Sequence, residues 1–281
     1  DIKAPDCFHI EERLKELMPI PVFHDDQHGT AIVTLAGFIN SCLITKRDAS
    51  KCKVVLNGAG AAGIACINLL HKYGVPKDNI VICDTKGVVF KGRTEGMNKY
   101  KEAFATSRPE RTLKEALKGA DVFIGVSAGN LLNADDVKTM ADKPIIYAMA
   151  NPVPEIYPDE ARRGCPDAII ATGRSDYPNQ INNVMCFPFL FRGTLDAGAR
   201  IINDEMKMAV ATTLAEIARE PVPAEVERAY SGRKFVFGQD YITPTPFDPR
   251  LLFRIPKAVV KAAMASGVAT KEITDWTWYE Y

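Results

Sequence analysis

The chain has 281 residues, 47% hydrophobic and 25% charged, enough to bury a large core and ordinary for a soluble globular protein. Lys plus Arg and Asp plus Glu number 35 each, so no global field favours a nucleic acid or an anionic membrane. The seven cysteines (Cys7, Cys42, Cys52, Cys66, Cys83, Cys165 and Cys186) include no Cys-x-x-Cys pair. They argue for free thiols in a reducing cytoplasm and against a disulfide or zinc framework.

The start, Asp1-Ile2-Lys3-Ala4-Pro5-Asp6, has neither an apolar core nor an initiating Met. It is not expected to be a targeting signal or the natural start of the gene product. Residues 7–18 predict a short amphipathic helix stopped by Pro19 and Pro21, and 21–24 a brief strand. Residues 30–44 predict a helix apolar around most of its circumference. Gly37, Asn40 and Ser41 interrupt it, and it is shorter than the roughly 20 residues that span a membrane. A buried helix is the expectation.

Strand and helix then alternate: strands at 53–56, 80–83, 122–125, 145–149 and 168–171, and helices at 61–73, 94–105, 113–117 and 133–140. Short β-branched runs between helices predict a parallel sheet covered on both faces. Beyond Phe187 the character becomes helical, at 193–202, 205–219 and 250–265, with a Gly-, Pro- and aromatic-rich surface stretch at 230–248. The fold class is α/β: a Rossmann-like, doubly wound, mostly parallel sheet with flanking helices and a helical C-terminal extension. The expected divisions are a linking segment at 1–30, a dinucleotide-binding domain at 31–250 and a C-terminal helix and tail at 251–281.

Two motifs carry the chemistry. After the strand at 53–56 comes Gly58-Ala59-Gly60-Ala61-Ala62-Gly63. Its glycines serve, in order, a tight turn, close approach of backbone to a pyrophosphate and tight helix packing, and the helix N-terminus offers free N–H groups to the anion. Asp84 ends the next strand at the distance expected of a ribose ligand. An acid there favours NAD, while the following Thr85 and Lys86 suit a 2′-phosphate, so NAD and NADP both stay open. A second turn, Gly125-Val126-Ser127-Ala128-Gly129, suits either the nicotinamide side of the crevice or a purely structural role.

The other motif is Phe23-His24-Asp25-Asp26-Gln27-His28-Gly29. Adjacent carboxylates repel each other, and a cation relieves that repulsion; they also suit a helix N-terminus as caps. His24 and His28 flank the pair as ligands or as structural histidines. Asn151, ahead of Pro152, and Asn182-Asn183 offer neutral amides suited to hydroxyl or carboxylate recognition, though each alone reads equally as a turn residue.

Taken together, Pro21-Val22-Phe23-His24-Asp25-Asp26-Gln27-His28-Gly29-Thr30-Ala31, the glycine turn, Asn151-Pro152 and Asn182-Asn183-Val184 resemble the malic enzymes. Phe187-Pro188-Phe189-Leu190-Phe191-Arg192-Gly193 resembles their bacterial-type branch. The resemblance implies metal-dependent oxidative decarboxylation of (S)-malate to pyruvate and CO₂ with reduction of NAD or NADP, through bound oxaloacetate and enolpyruvate. It implies Asp26 and Asp1 as ligands of Mg²⁺ or Mn²⁺, and Asp25 as the partner of a lysine base. It also implies Asn151 and Asn183 as contacts to substrate and nicotinamide. The family's lysine base, tyrosine acid and glutamate ligand belong to an N-terminal domain, and nothing in this chain matches them; Tyr147, Tyr157 and Lys86 lie in none of those motifs. The resemblance therefore implies the cofactor-binding part of a homo-oligomeric enzyme, whose longer bacterial members continue into a phosphotransacetylase-like domain. Two rival readings are an amino-acid or shikimate-type dehydrogenase, which needs no metal, and a non-catalytic dinucleotide-binding module.

Overall fold

The structure, a computed structural model, describes residue 2 and residues 4–280. In chain order the elements are α1 (Asp6–Leu17), α2 (Asp25–Thr45), β1 (Val54–Asn57), α3 (Ala61–Tyr73), β2 (Ile80–Asp84) and β3 (Gly87–Val88). They continue with α4 (Lys99–Glu102), α5 (Leu113–Leu117), β4 (Val122–Gly125), α6 (Ala134–Lys138), β5 (Ile145–Ala148), α7 (Pro158–Gly164) and β6 (Ile169–Thr172). The last four are α8 (Phe187–Asp196), α9 (Asp204–Arg219), α10 (Ala224–Ala229) and α11 (Arg250–Ala265).

The strands form one sheet in the order β3-β2-β1-β4-β5-β6, parallel except for the short edge strand β3. Alternate residues face two cores. Val54, Leu56, Val122 and Tyr147 face the core under α2, α3, α8, α9 and α11, while Val55, Phe123 and Ile146 face the one under α5, α6 and α7. Burial on both faces is why these strands are uniformly apolar. The order reverses between β1 and β4, and the register aligns Cys83, Asn57, Gly125, Ala148 and Thr172 along one edge. Every loop leaving a parallel strand therefore emerges at the same level, around the switch point where ligands bind in open α/β sheets.

Most elements match the sequence reading, and the departures have local causes. The stretch 21–24 pairs with no strand, and α2 begins at Asp25, drawing both carboxylates into its first turn, where the helix dipole favours them. Only Lys99–Glu102 of the expected helix at 94–105 forms, because Gly96 has φ +68° and Asn98 caps the helix that follows. α8 begins six residues earlier than expected, with Pro188 in its first turn, and Gly198 (φ +61°) closes the turn after it. The stretch 230–248 is more than a surface wrap: Tyr241, Ile242 and Thr243 are buried, and the Asn40 amide donates to Ile242 O at 2.8 Å. β3, α7 and α10 are further elements, too short to leave a periodicity.

By length and composition α2 is apolar enough to cross a membrane, but 67% of its most apolar window is buried against the rest of the chain. It packs on α3 and α9 as a core helix.

Candidate active site

The glycine turn assigns its three glycines different jobs. Gly58 has φ +114°, and a Cβ there would lie 2.8 Å from Val126 O on the neighbouring strand end. A Cβ on Gly63 would collide with Gly58 O, whereas one on Gly60 would meet nothing within 4 Å. The middle glycine thus faces open space at the start of α3. Gly60 supplies no side-chain cap there, so the first-turn N–H groups around Ala61, Ala62 and Gly63 remain available to an anion.

On the far side of β1, Asp84 is nearly enclosed. Its carboxylate accepts from Arg93 Nη2 at 2.5 Å, Lys101 Nζ at 2.6 Å and Lys86 N at 2.9 Å. Burial alone would raise the Asp84 carboxyl, but these donors hold it below the usual range. Sequence reasoning misses Arg93 and Lys101, because they belong to an irregular segment with no motif spacing. Lys86 itself pairs with Glu95 at 2.5 Å.

The acidic pair divides by helical geometry. Asp26 and Thr30, four residues apart on one face of α2, line a cleft of about 480 Å³ with Ala62, Ser127, Asn151, Asn182 and Asn183. The Asp26 side chain is exposed and has no hydrogen bond or ion pair among the described residues. Asp25 turns the other way. Its carboxylate folds over Gly29 and accepts a hydrogen bond from Asn183 Nδ2, while its Oδ1 is buried without a partner. Burial, then repulsion by Asp26, pushes the Asp25 carboxyl up to about 6.

The flanking histidines stand apart from the cleft. His28 Nε2 lies 2.8 Å from Glu11 Oε1, which also accepts from His24 N at 3.2 Å and pairs with Lys15 at 2.8 Å. Burial holds the His28 ring below its ordinary value, so at neutral pH it meets Glu11 as a neutral N–H donor. Burial alone would raise Glu11; the His28 and Lys15 hydrogen bonds bring it down to about 2. Glu11 thereby ties α1 to the end of α2 that carries the pair, a link across 13 residues or more that no local motif signals.

Among the described residues no group of three or more His, Cys, Asp or Glu side chains forms a metal cage. Asp1, the other expected ligand, lies outside the described residues. An unpartnered carboxylate facing an open polar cleft nevertheless suits Mg²⁺ or Mn²⁺, which bind through one or two carboxylates plus substrate and water.

The strand-end turns face each other across this cleft. Asn57 Nδ2 donates to Ser127 Oγ at 2.6 Å, and the Asn151–Pro152 peptide is cis. Beneath them sits Glu155, with no exposed surface, its carboxyl raised by burial. Tyr147 is also fully buried, its hydroxyl 2.8 Å from Ser41 Oγ in the core, well away from acid–base work.

A switch-point crevice, an uncapped helix behind a glycine turn and a nearly enclosed carboxylate at the end of β2 define a nicotinamide-dinucleotide-binding domain of the doubly wound class. The acidic helix terminus and paired asparagines narrow the class. The chain belongs to the malic enzyme family: the model of the malic enzyme NAD binding domain matches residues 27–229. It is 59% identical over 275 residues to the NADP-dependent malic enzyme of Rhizobium meliloti, covering 98% of this chain and 36% of that relative. It is 52% identical to the NAD-dependent malic enzyme of the same organism, covering 99% of this chain and 36% of that relative. The crystal structure of malic enzyme from Pyrococcus horikoshii superposes with a TM-score of 0.86 at 38% identity, covering 97% of this chain and 62% of that one. The chain thus spans little more than a third of the length of the curated relatives it matches.

Proposed function

We propose that this chain forms the cofactor-and-metal wall of an enzyme that oxidatively decarboxylates (S)-malate to pyruvate and CO₂ with reduction of NAD(P)⁺. The observation that carries this is the shared cleft, where Asp26, Asn151 and Asn183 meet Ala62 of the nucleotide turn. The family match favours it over an amino-acid or shikimate-type dehydrogenase and over a silent binding module.

In this reading the N–H groups of Ala61, Ala62 and Gly63 hold the pyrophosphate. Asp84 with Arg93 and Lys101 forms the ribose side, carrying one more cation than anion, which suits the 2′-phosphate of NADP. Asp26, with Asp1, holds Mg²⁺ or Mn²⁺. When bound, the metal supplies Lewis-acid polarisation of the substrate oxygens, and the cofactor accepts the hydride. Asn151 and Asn183 orient the substrate and nicotinamide through uncharged hydrogen bonds. The buried, unpartnered Oδ1 of Asp25 is the seat for the ammonium of a lysine base contributed from outside this chain, and Asn183 keeps that carboxylate aimed. A tyrosine acid comes from outside as well.

We further propose a homo-oligomer in the cytoplasm, consistent with seven free cysteines, and a phosphotransacetylase-like domain in the longer protein. The test is malate-dependent reduction of NAD⁺ and NADP⁺ by the full gene product, with Mn²⁺ and with chelator. Reduction that needs malate and is restored by Mn²⁺ supports the reading. Cofactor binding without malate oxidation, or oxidation indifferent to chelator, overturns it.

A further inference from the structure

Glu155 is a buried carboxylate without a cation: no Lys, Arg or His side chain pairs with it among the described residues. A buried charge is costly unless hydrogen bonds replace its water. Here both oxygens are used, and each serves a different loop. Oε1 accepts from Ser127 N at 3.0 Å in the turn after β4, and Oε2 accepts from Ala150 N at 3.0 Å in the turn after β5.

The surrounding structure makes room for this fork. A Cβ on Gly125, the last residue of β4, would sit 2.5 Å from Glu155 Oε1. The Glu155 backbone carbonyl accepts from Leu131 N at 2.8 Å and Leu132 N at 3.0 Å, fixing the residue to the far end of the same turn. Ser127 in turn receives the Asn57 amide from the end of β1. One side chain thus links strand ends on the β4–β5 side of the switch point, directly under residues that line the cleft.

We propose that Glu155 is a positioning residue for the nicotinamide half of the cofactor, setting the gap between the β4 and β5 turns and the placement of Asn151. This rests on reading the cleft as the dinucleotide site. The β4 turn packs on Gly58 at the base of the glycine turn, but the space in front of Gly60 is free of both turns, so in this proposal the adenosine and pyrophosphate half depends far less on Glu155 than the nicotinamide half does.

The test compares two probes on the protein and its Glu155→Gln variant by calorimetry: an ADP-ribose carrying the 2′-phosphate, which differs from the cofactor only in lacking the nicotinamide, and NADPH. Gln keeps the shape but turns one acceptor into an N–H₂ group facing a backbone N–H. The expected result is NADPH affinity reduced at least about tenfold with ADP-ribose affinity within about twofold of the parent. Glu155→Asp, which keeps the charge, is expected to recover part of the NADPH loss; if Glu155→Gln does not fold, Glu155→Asp is read with the same probes and criteria. Equal loss of both probes means a merely structural role and overturns the inference, as does no loss of either. Failure of the parent protein to bind either probe overturns the dinucleotide reading itself.

Discussion

Gly29 leaves the space that the Asp25 carboxylate fills: a Cβ at position 29 would collide with Asp25 Oδ1 and lie 2.8 Å from Asn183 Cβ. The glycine sits inside a helix, where it costs stability relative to alanine, so its use is to let a carboxylate lie along the helix against Asn183. Gly29→Ala is expected to destabilise the fold by about 1–3 kcal/mol in denaturant unfolding through overpacking. In the full gene product it should abolish most malate turnover, because it displaces both the Asp25 carboxylate and Asn183. Unchanged turnover would show that Asp25 needs no fixed position.

Glu11 gives the fold a defined acid response. Its carboxyl is depressed in the folded state from an ordinary 4.5 to about 2, so the unfolded chain takes up its proton first as pH falls. The stabilisation is complete above the unfolded value and is lost as pH falls through the folded one; its upper bound is about 3 kcal/mol. Comparing the unfolding free energy of the parent with Glu11→Gln at several pH values should show a gap at pH 6 that narrows towards pH 3. A gap independent of pH would mean that the hydrogen bonds, not the charge, matter.

Lys101 bears on cofactor choice. Its ammonium shares Asp84 Oδ2 with Arg93, at 2.6 Å. Lys101→Ala removes a cation and frees an acceptor at the proposed ribose side. The preference for NADP⁺ over NAD⁺, measured as a ratio of dissociation constants, should fall by about tenfold. Parallel weakening of both cofactors would move the discriminating contact elsewhere.

Thiol labelling should single out one cysteine. Six of the seven are buried and Cys165 is partly exposed, while burial pushes the Cys66 and Cys83 thiols up to about 12. Iodoacetamide at pH 8 should therefore alkylate Cys165 first, with the others reacting only on unfolding. Peptide mapping that finds early label on Cys66 or Cys83 would contradict the packing around α3 and β2.

The sheet was legible in the sequence because its strands are buried on both faces and bracketed by turns, and the glycine turn because its spacing answers a fixed geometric need. The same holds for α3, α5 and α11, whose apolar spacing and flanking residues mark their ends. What stayed hidden depends on distant partners. Nothing local tells that Asp25 and Asp26 diverge; that follows from α2 starting at Asp25 and from Asn183, 158 residues away. Glu155 reads as an ordinary surface acid in a Pro-rich loop, and only the juxtaposition of two strand ends makes it a buried fork. Arg93 and Lys101 turn Asp84 from a lone acid into a cationic cluster, a change of sign that sequence position cannot report.

α2 ties the carboxylates to the least water-tolerant part of the chain. It precedes every strand of the sheet it packs beneath, and being apolar around most of its circumference it has little polar surface to present while undocked. While α2 is undocked its apolar face is left in water, the kind of surface that favours association with other apolar surfaces. Asp25 meets Asn183, 158 residues away, only once α2 has docked on the folded sheet.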